Sequence, residues 1–239
     1  MPSKENSTSE PQTLTLEQAL DLAVEHHQAG DLTKAESIYQ QILEVHPNHP
    51  HVLHLLGVVS YQGGQNERAI ELIEKALTIS PEFSEAFCNL GVVQNKLGKS
   101  DAAVASFQRA IALRPDYAEA HFNLGNVLKN IGRFDEAIVS YQEAISLNAE
   151  YPEALNNLGI VQWTLKKAKE AMVSFRKALV LNPGFAEAYN NLGVLLKEIG
   201  RIEDAVKNFN KALAVEPNYV EARYNLEDAL KMREDLNED

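Results

Sequence analysis

The sequence predicts an all-α solenoid of six helix-turn-helix repeats closed by a C-terminal capping helix, and three observations carry that expectation. One 34-residue pattern recurs without insertion in units beginning at Leu16, Pro50, Ser84, Ala118, Pro152 and Ala186. Each unit holds two stretches with helical spacing: in the unit from Ala118, first His121, Leu124, Gly125 and Leu128, then Phe134, Ala137, Ile138, Tyr141, Ala144 and Ile145. The punctuation is periodic too, with Gly30, Gly64, Gly98, Gly132 and Gly200 at position 15 and Pro47, Pro81, Pro115, Pro183 and Pro217 at position 32. Helices this short are marginal alone, and one pair buries only half of its apolar surface, so the units must stack.

In chain order, the polar stretch 1–15 reads as a disordered tail, and its Asn6-Ser7-Thr8 as a chance match to a glycosylation acceptor. Thr15 with Gln18 forms a capping-box pattern at the start of the first helix. The repeats then occupy 16–49, 50–83, 84–117, 118–151, 152–185 and 186–219. Position 8 is Gly57, Gly91, Gly125, Gly159 and Gly193, with Ala23 in the opening unit, and position 20 is Ala throughout, from Ala35 to Ala205. These small residues let the paired helices approach. Position 24 holds Tyr39, Ile73, Phe107, Tyr141, Phe175 and Phe209, large enough to fill the space between helices. Two units depart from the punctuation. Ala149 replaces the Pro, a break that Pro152 restores, and Lys166 replaces the turn Gly, leaving that turn less sharply specified. After Tyr219 one more first helix begins, and Glu227 at position 8 makes it a solvating cap over 220–235, with 236–239 frayed.

Leu and Gly at positions 7 and 8, Ala at 20, an aromatic at 24, Ala at 27 and Pro at 32 resemble the tetratricopeptide repeat (TPR) family, from Leu16 to Tyr219. The resemblance implies a right-handed superhelix whose concave groove is lined by the first helix of each pair. The NLG tripeptides at Asn89, Asn123, Asn157 and Asn191, with NVLK from Asn126 to Lys129, further resemble the repeats of O-linked N-acetylglucosamine transferases and related bacterial proteins. In that family an asparagine ladder holds substrate peptides.

On each first helix the core is expected at positions 4, 7, 8 and 11, with positions 2, 6, 9 and 13 on the groove side. Position 6 is Asn89, Asn123, Asn157, Asn191 and Asn225, while the first two units carry Asp21 and Leu55. An amide both donates and accepts, so such a row suits the backbone of an extended peptide; it equally suits bonds between neighbouring helices. Asn126 and Asn130 add amides to the unit from Ala118, and Trp163 is an anchor candidate. The remaining position 9 residues, Val24, Val58, Val92, Ile160 and Val194, fit core and groove alike. Position 2 is Glu85, Glu119, Glu153, Glu187 and Glu221, each in a first turn where the helix dipole favours a carboxylate. A carboxylate-clamp groove is disfavoured, because Phe122, Glu187 and Asn191 stand where that resemblance requires basic residues.

The net charge of −12, without a basic run, argues against nucleic acid. No apolar stretch reaches membrane-spanning length, and no secretory signal is visible, so a cytoplasmic protein is expected. Cys88 is the one cysteine and reads as a packed or half-exposed thiol. His46, His49, His51 and His54 read as a solvent-exposed cluster at a helix junction, lacking a familiar metal spacing, and Gly63-Gly64 as a turn. No catalytic residue, metal or cofactor is expected. The expected function is non-enzymatic binding of a protein or extended peptide segment. Alternatives are the substrate-recruiting arm of a protein glycosyltransferase or sulfotransferase whose catalytic domain lies elsewhere, and self-association through the groove.

Overall fold

The computed structural model describes residues 14–238 and divides into two compact units, one ending at Ala102 and the other starting at Ala103. The expected tail thus falls almost wholly outside the described residues, as does Asn6. The first unit contains α1 (Leu16–Gln28), α2 (Leu32–Val45), α3 (Pro50–Gln62), α4 (Asn66–Ile79) and α5 (Ser84–Lys96). Helix α6 (Ser100–Leu113) begins there and continues into the second unit. The second unit holds α7 (Ala118–Asn130), α8 (Phe134–Leu147), α9 (Pro152–Thr164), α10 (Ala168–Leu181), α11 (Ala186–Glu198), α12 (Ile202–Val215) and α13 (Val220–Glu238). No strand occurs among the described residues. Each of α1 to α4 packs on the next helix in sequence, and so does each of α7 to α12; first helices of successive pairs also touch, as α3 does α5 and α9 does α11. This nearest-neighbour stacking is the all-α solenoid arrangement.

In the pairs containing Gly57, Gly125, Gly159 and Gly193, the glycine of position 8 meets the large residue of position 24. A Cβ on Gly125 would lie 2.7 Å from the Tyr141 ring, one on Gly159 2.7 Å from Phe175, and one on Gly57 2.7 Å from Ile73. These large side chains are fully buried, and each contributes roughly 1.5–3 kcal/mol by leaving water. The buried arc of the first helix is wider than one stripe. Besides positions 7, 8 and 11 it includes Ala86, Ala120, Ala154 and Ala188 at position 3 and Val93, Val127, Val161 and Leu195 at position 10. Position 4 is core only in places: Leu53 and Leu155 are buried, whereas His121 is half-buried and its Nε2 bonds the Pro115 carbonyl. The reason is that a first helix packs against the preceding pair as well as its own partner, so Ala188 clusters with Leu155 and Ala178 of the pair before it.

The turns follow backbone chemistry. Gly30, Gly64, Gly132 and Gly200 are left-handed, with φ between 78° and 80°. Lys166 adopts the same region at φ 61°. Its N–H bonds the Trp163 carbonyl and the Lys167 N–H bonds the Gln162 carbonyl, as Gly132 and Arg133 bond Lys129 and Leu128. The turn is therefore as sharply made as the others, and the lysine backbone carries the strain. After α8, where Ala149 replaces proline, Asn148 Oδ1 accepts the Glu150 N–H at 3.1 Å and sets the turn as Asn182 does with Gly184 at 3.0 Å.

Both ends are closed locally. Thr15 Oγ1 accepts from the Gln18 N–H at 3.2 Å, and Gln18 Oε1 accepts from the Thr15 N–H at 3.0 Å, completing the capping box. Helix α13 continues to Glu238, past the expected end at Asp235; Asp239 lies outside the described residues. It is less polar a cap than Glu227 suggested, since Val220 and Tyr224 are 75% and 73% exposed.

Candidate peptide-binding face

Four of the position 6 amides, Asn89, Asn157, Asn191 and Asn225, are tied to the preceding pair by side-chain bonds. Asn191 Nδ2 donates to Asn156 Oδ1 at 3.1 Å, and Asn225 Nδ2 donates to Asn190 Oδ1 at 2.9 Å. Asn156 and Asn190, both 1% exposed, sit at position 5. They donate in turn to the position 2 carboxylates of the following pair, Asn156 Nδ2 to Glu187 Oε1 at 3.1 Å and Asn190 Nδ2 to Glu221 Oε1 at 3.2 Å. Each buried amide thereby satisfies both of its polar ends, as burial requires. Glu187 and Glu221 consequently hold a bond beyond their helix-dipole role. Sequence reasoning missed Asn156 and Asn190, although the doublets Asn156-Asn157 and Asn190-Asn191 were the available signal.

The relay changes where position 5 cannot accept. Phe122 occupies it in α7, its ring 4.8 Å from that of Tyr151. Asn157 Nδ2 instead donates to Asn126 Oδ1 at 2.8 Å, which also accepts the Tyr141 hydroxyl at 2.8 Å. Asn126 is therefore a junction between α7, α8 and α9. Burial pushes the Tyr141 hydroxyl pKa well up, keeping it a donor. Lys129, half-buried, reaches Asn157 Oδ1 at 3.5 Å; burial lowers its pKa while Glu187 pulls the other way.

The other expected site residues are placed as follows. Asn123, Asn157, Asn191, Asn225 and Trp163 are half-buried in the second unit, and Asn130 is exposed. Asn123 lines a cleft of ≈ 420 Å3 together with Glu119, Phe122, Tyr117 and Tyr151. Trp163 Nε1 donates to Glu198 Oε2 at 2.7 Å, and Lys197 pairs with Asp228 at 2.6 Å.

In the first unit Asn89 is half-buried and donates through Nδ2 to His54 Nε2 at 2.8 Å. Because an amide nitrogen only donates, His54 carries its proton on Nδ1, which is buried without a hydrogen-bond partner among the described residues. His54 is thus 5% exposed and packs edge-on to Phe83 at 4.7 Å, which corrects the expectation of a solvent-exposed histidine cluster. Burial pushes its pKa down to about 4, with His51 adding to that and Glu85 opposing. Of the other three, His51 and His46 are exposed, and His49 caps α3 by accepting the Val52 N–H at Nδ1. Cys88 is fully buried. Among the described residues no helix is long and apolar enough to cross a membrane, and no three His, Cys, Asp or Glu side chains gather as metal ligands.

Family models described as TPR repeat or tetratricopeptide repeat match residues 26–90, 93–132, 128–166, 152–185 and 186–219. No curated protein sequence matches the chain. Among solved structures, MamA is similar at 30% identity and TM-score 0.64 over 68% of this chain and 95% of its own. YrrB, a TPR protein with an unusual peptide-binding site, is similar at 22% identity and TM-score 0.65, over 78% of this chain and 96% of its own. PilW, a widely conserved type IV pilus biogenesis factor, reaches TM-score 0.80 at 20% identity, over 90% of this chain and 99% of its own. The matched repeats, spanning most of the sequence, and the stacked helix pairs agree: the chain belongs to the tetratricopeptide repeat family.

Proposed function

We propose that the chain is a non-enzymatic interaction module whose first-helix face in the second unit holds an extended peptide by its backbone. The observation that carries this reading is the row Asn157, Asn191 and Asn225. Each amide is half-exposed and held at a fixed spacing by one bond from its Nδ2 to the preceding pair. That bond uses one of two N–H groups, so the amide keeps a donor and an acceptor of the kind a peptide unit requires. Because the side chains are already fixed, binding loses less rotamer freedom. The cleft beside Asn123, rimmed by Phe122, Tyr117 and Tyr151, offers an adjacent seat for an apolar side chain of the ligand. The fold shared with YrrB, which has a peptide-binding site, supports the same reading.

The test is to pan a random-peptide display library on the purified chain and measure selected peptides by anisotropy. Binding is expected to fall by about tenfold or more in Asn123→Ala and Asn157→Ala while far-UV circular dichroism is unchanged. Selected peptides that bind both variants as well as the parent overturn the proposal.

A further inference from the structure

The second-helix side of the same unit carries a feature that peptide binding on the first-helix face leaves unused. Between α8 and α10 lie two adjoining cavities, ≈ 460 and ≈ 490 Å3, that share Ile145, Leu155, Val173 and Lys177 as lining residues and so form one groove. Leu155 of α9 lines it alongside Ile145 of α8 and the α10 residues Lys169, Val173, Arg176, Lys177 and Val180, with Glu170 the one carboxylate in the lining. Those α10 positions recur at helical spacing and form one stripe about three turns long. Val173 and Val180 on it are 52% and 79% exposed.

The charge there runs against the rest of the chain. The molecule is −12 overall, yet the stretch from Lys166 to Lys177 carries Lys166, Lys167, Lys169, Arg176 and Lys177 against Glu170. The sequence expectation of no basic run holds for contiguous residues and misses this stripe. Lys169, Arg176 and Lys177 are exposed and, among the described residues, make no ion pair. Elsewhere in the unit Arg133, Lys197 and Arg201 each hold a carboxylate. An apolar channel bordered by three unpaired cations against the single carboxylate of Glu170 fits a ligand with the opposite arrangement.

We infer that the α8/α10 groove is a second docking site, and that its occupant is an acidic amphipathic helix of a partner protein. The occupant places apolar side chains over Ile145, Leu155, Val173 and Val180 and carboxylates against Lys169, Arg176 and Lys177. A helix matches the seat because its i, i+3, i+4, i+7 apolar stripe has the pitch of the α10 stripe beside it. An anionic membrane surface fits less well, since a broad surface would also meet the exposed Asp135, Glu136 and Glu143 of α8, which do not line the groove and so do not oppose a helix seated in it. The site is independent of the proposed peptide face, because none of its residues belongs to the asparagine row.

The probe is a fluorescein-labelled helical peptide of about four turns with Leu on one face and Glu on both flanks, titrated against the full chain by anisotropy. Saturable binding that weakens with salt is expected, together with at least about tenfold weaker binding of the counterpart carrying Lys for every Glu. The double variant Arg176→Glu/Lys177→Glu and, separately, Val173→Glu should each weaken the Glu peptide about tenfold with circular dichroism unchanged, since all three residues are exposed. Absence of saturable binding, equal binding of the Glu and Lys peptides, or insensitivity to both variants overturns the inference. Binding of the chain to phosphatidylserine vesicles that depends on Arg176 and Lys177, without peptide binding, would reassign the groove to a membrane. Concentration-dependent self-association lost in the double variant, again without peptide binding, would reassign it to a second copy.

Discussion

Asn191 donates its side-chain Nδ2 to Oδ1 of Asn156, at 3.1 Å, across one repeat plus one residue. Because Asn156 is buried and also bound to Glu187, the row of amides and the row of carboxylates are coupled through the interior. A double-mutant cycle with Asn156→Ala and Asn191→Ala, read by urea unfolding, should give a coupling of about 1 kcal/mol. Additive effects would show that the bond contributes nothing and that Asn191 is placed by its helix alone.

His54 occupies the position that Asn156 and Asn190 fill elsewhere, and the substitution brings a titratable group into the interior. Its folded pKa is depressed to about 4, so below the ordinary histidine value the unfolded chain binds a proton that the folded chain does not. Its contribution is therefore fully present above about pH 6.5, falls as pH drops through the window between the two values, and levels off below about 4, a change on the order of 3 kcal/mol. In His54→Asn the new amide can accept from Asn89 as Asn156 accepts from Asn191, and this part of the pH dependence should vanish. Urea midpoints from pH 7 to pH 4 measure it; a parallel decline in parent and variant would remove His54 as the source.

Lys166 adopts a left-handed backbone that the other turns assign to glycine. A side chain there costs about 1–2 kcal/mol, and the greater freedom of glycine in the unfolded chain offsets about half of that. Lys166→Gly should therefore raise stability by roughly 0.5–1 kcal/mol, measurable as a higher urea midpoint. A lower midpoint would mean that the lysine side chain makes a compensating contact.

Tyr39 and Tyr141 both fill position 24, yet their hydroxyls have opposite roles. Tyr141 donates to Asn126, whereas the Tyr39 hydroxyl is buried without a hydrogen-bond partner among the described residues, and its pKa is pushed up to about 12 by burial. Tyr39→Phe should be neutral or stabilising by about 1 kcal/mol, and Tyr141→Phe destabilising by a similar amount. Phenylalanine already stands at Phe107, Phe175 and Phe209, so ring shape is conserved in both variants. Thermal melts of the pair side by side decide it, and equal shifts would deny the asymmetry.

Helix starts, turns and glycine contacts were legible in the sequence because each depends on local backbone chemistry or on spacing within one repeat. Gly125 against Tyr141 and the left-handed glycines are of this kind. The partners of the amides were not legible, since they depend on how far one pair is rotated on the next. That rotation brings position 6 to position 5 of the preceding pair, and it makes Asn126 the acceptor for Asn157 where Phe122 blocks the usual one. The same cause hid the burial of His54 and the wider core at positions 3 and 10, because a first helix is buried from two sides and its own periodicity reports one. The sequence by itself thus determined the fold class, the family pattern and the places where the chain turns. Tertiary packing alone decided which amides are fixed, which histidine is neutral and where unpaired cations line an apolar groove, because each depends on side chains about a repeat apart meeting across stacked pairs.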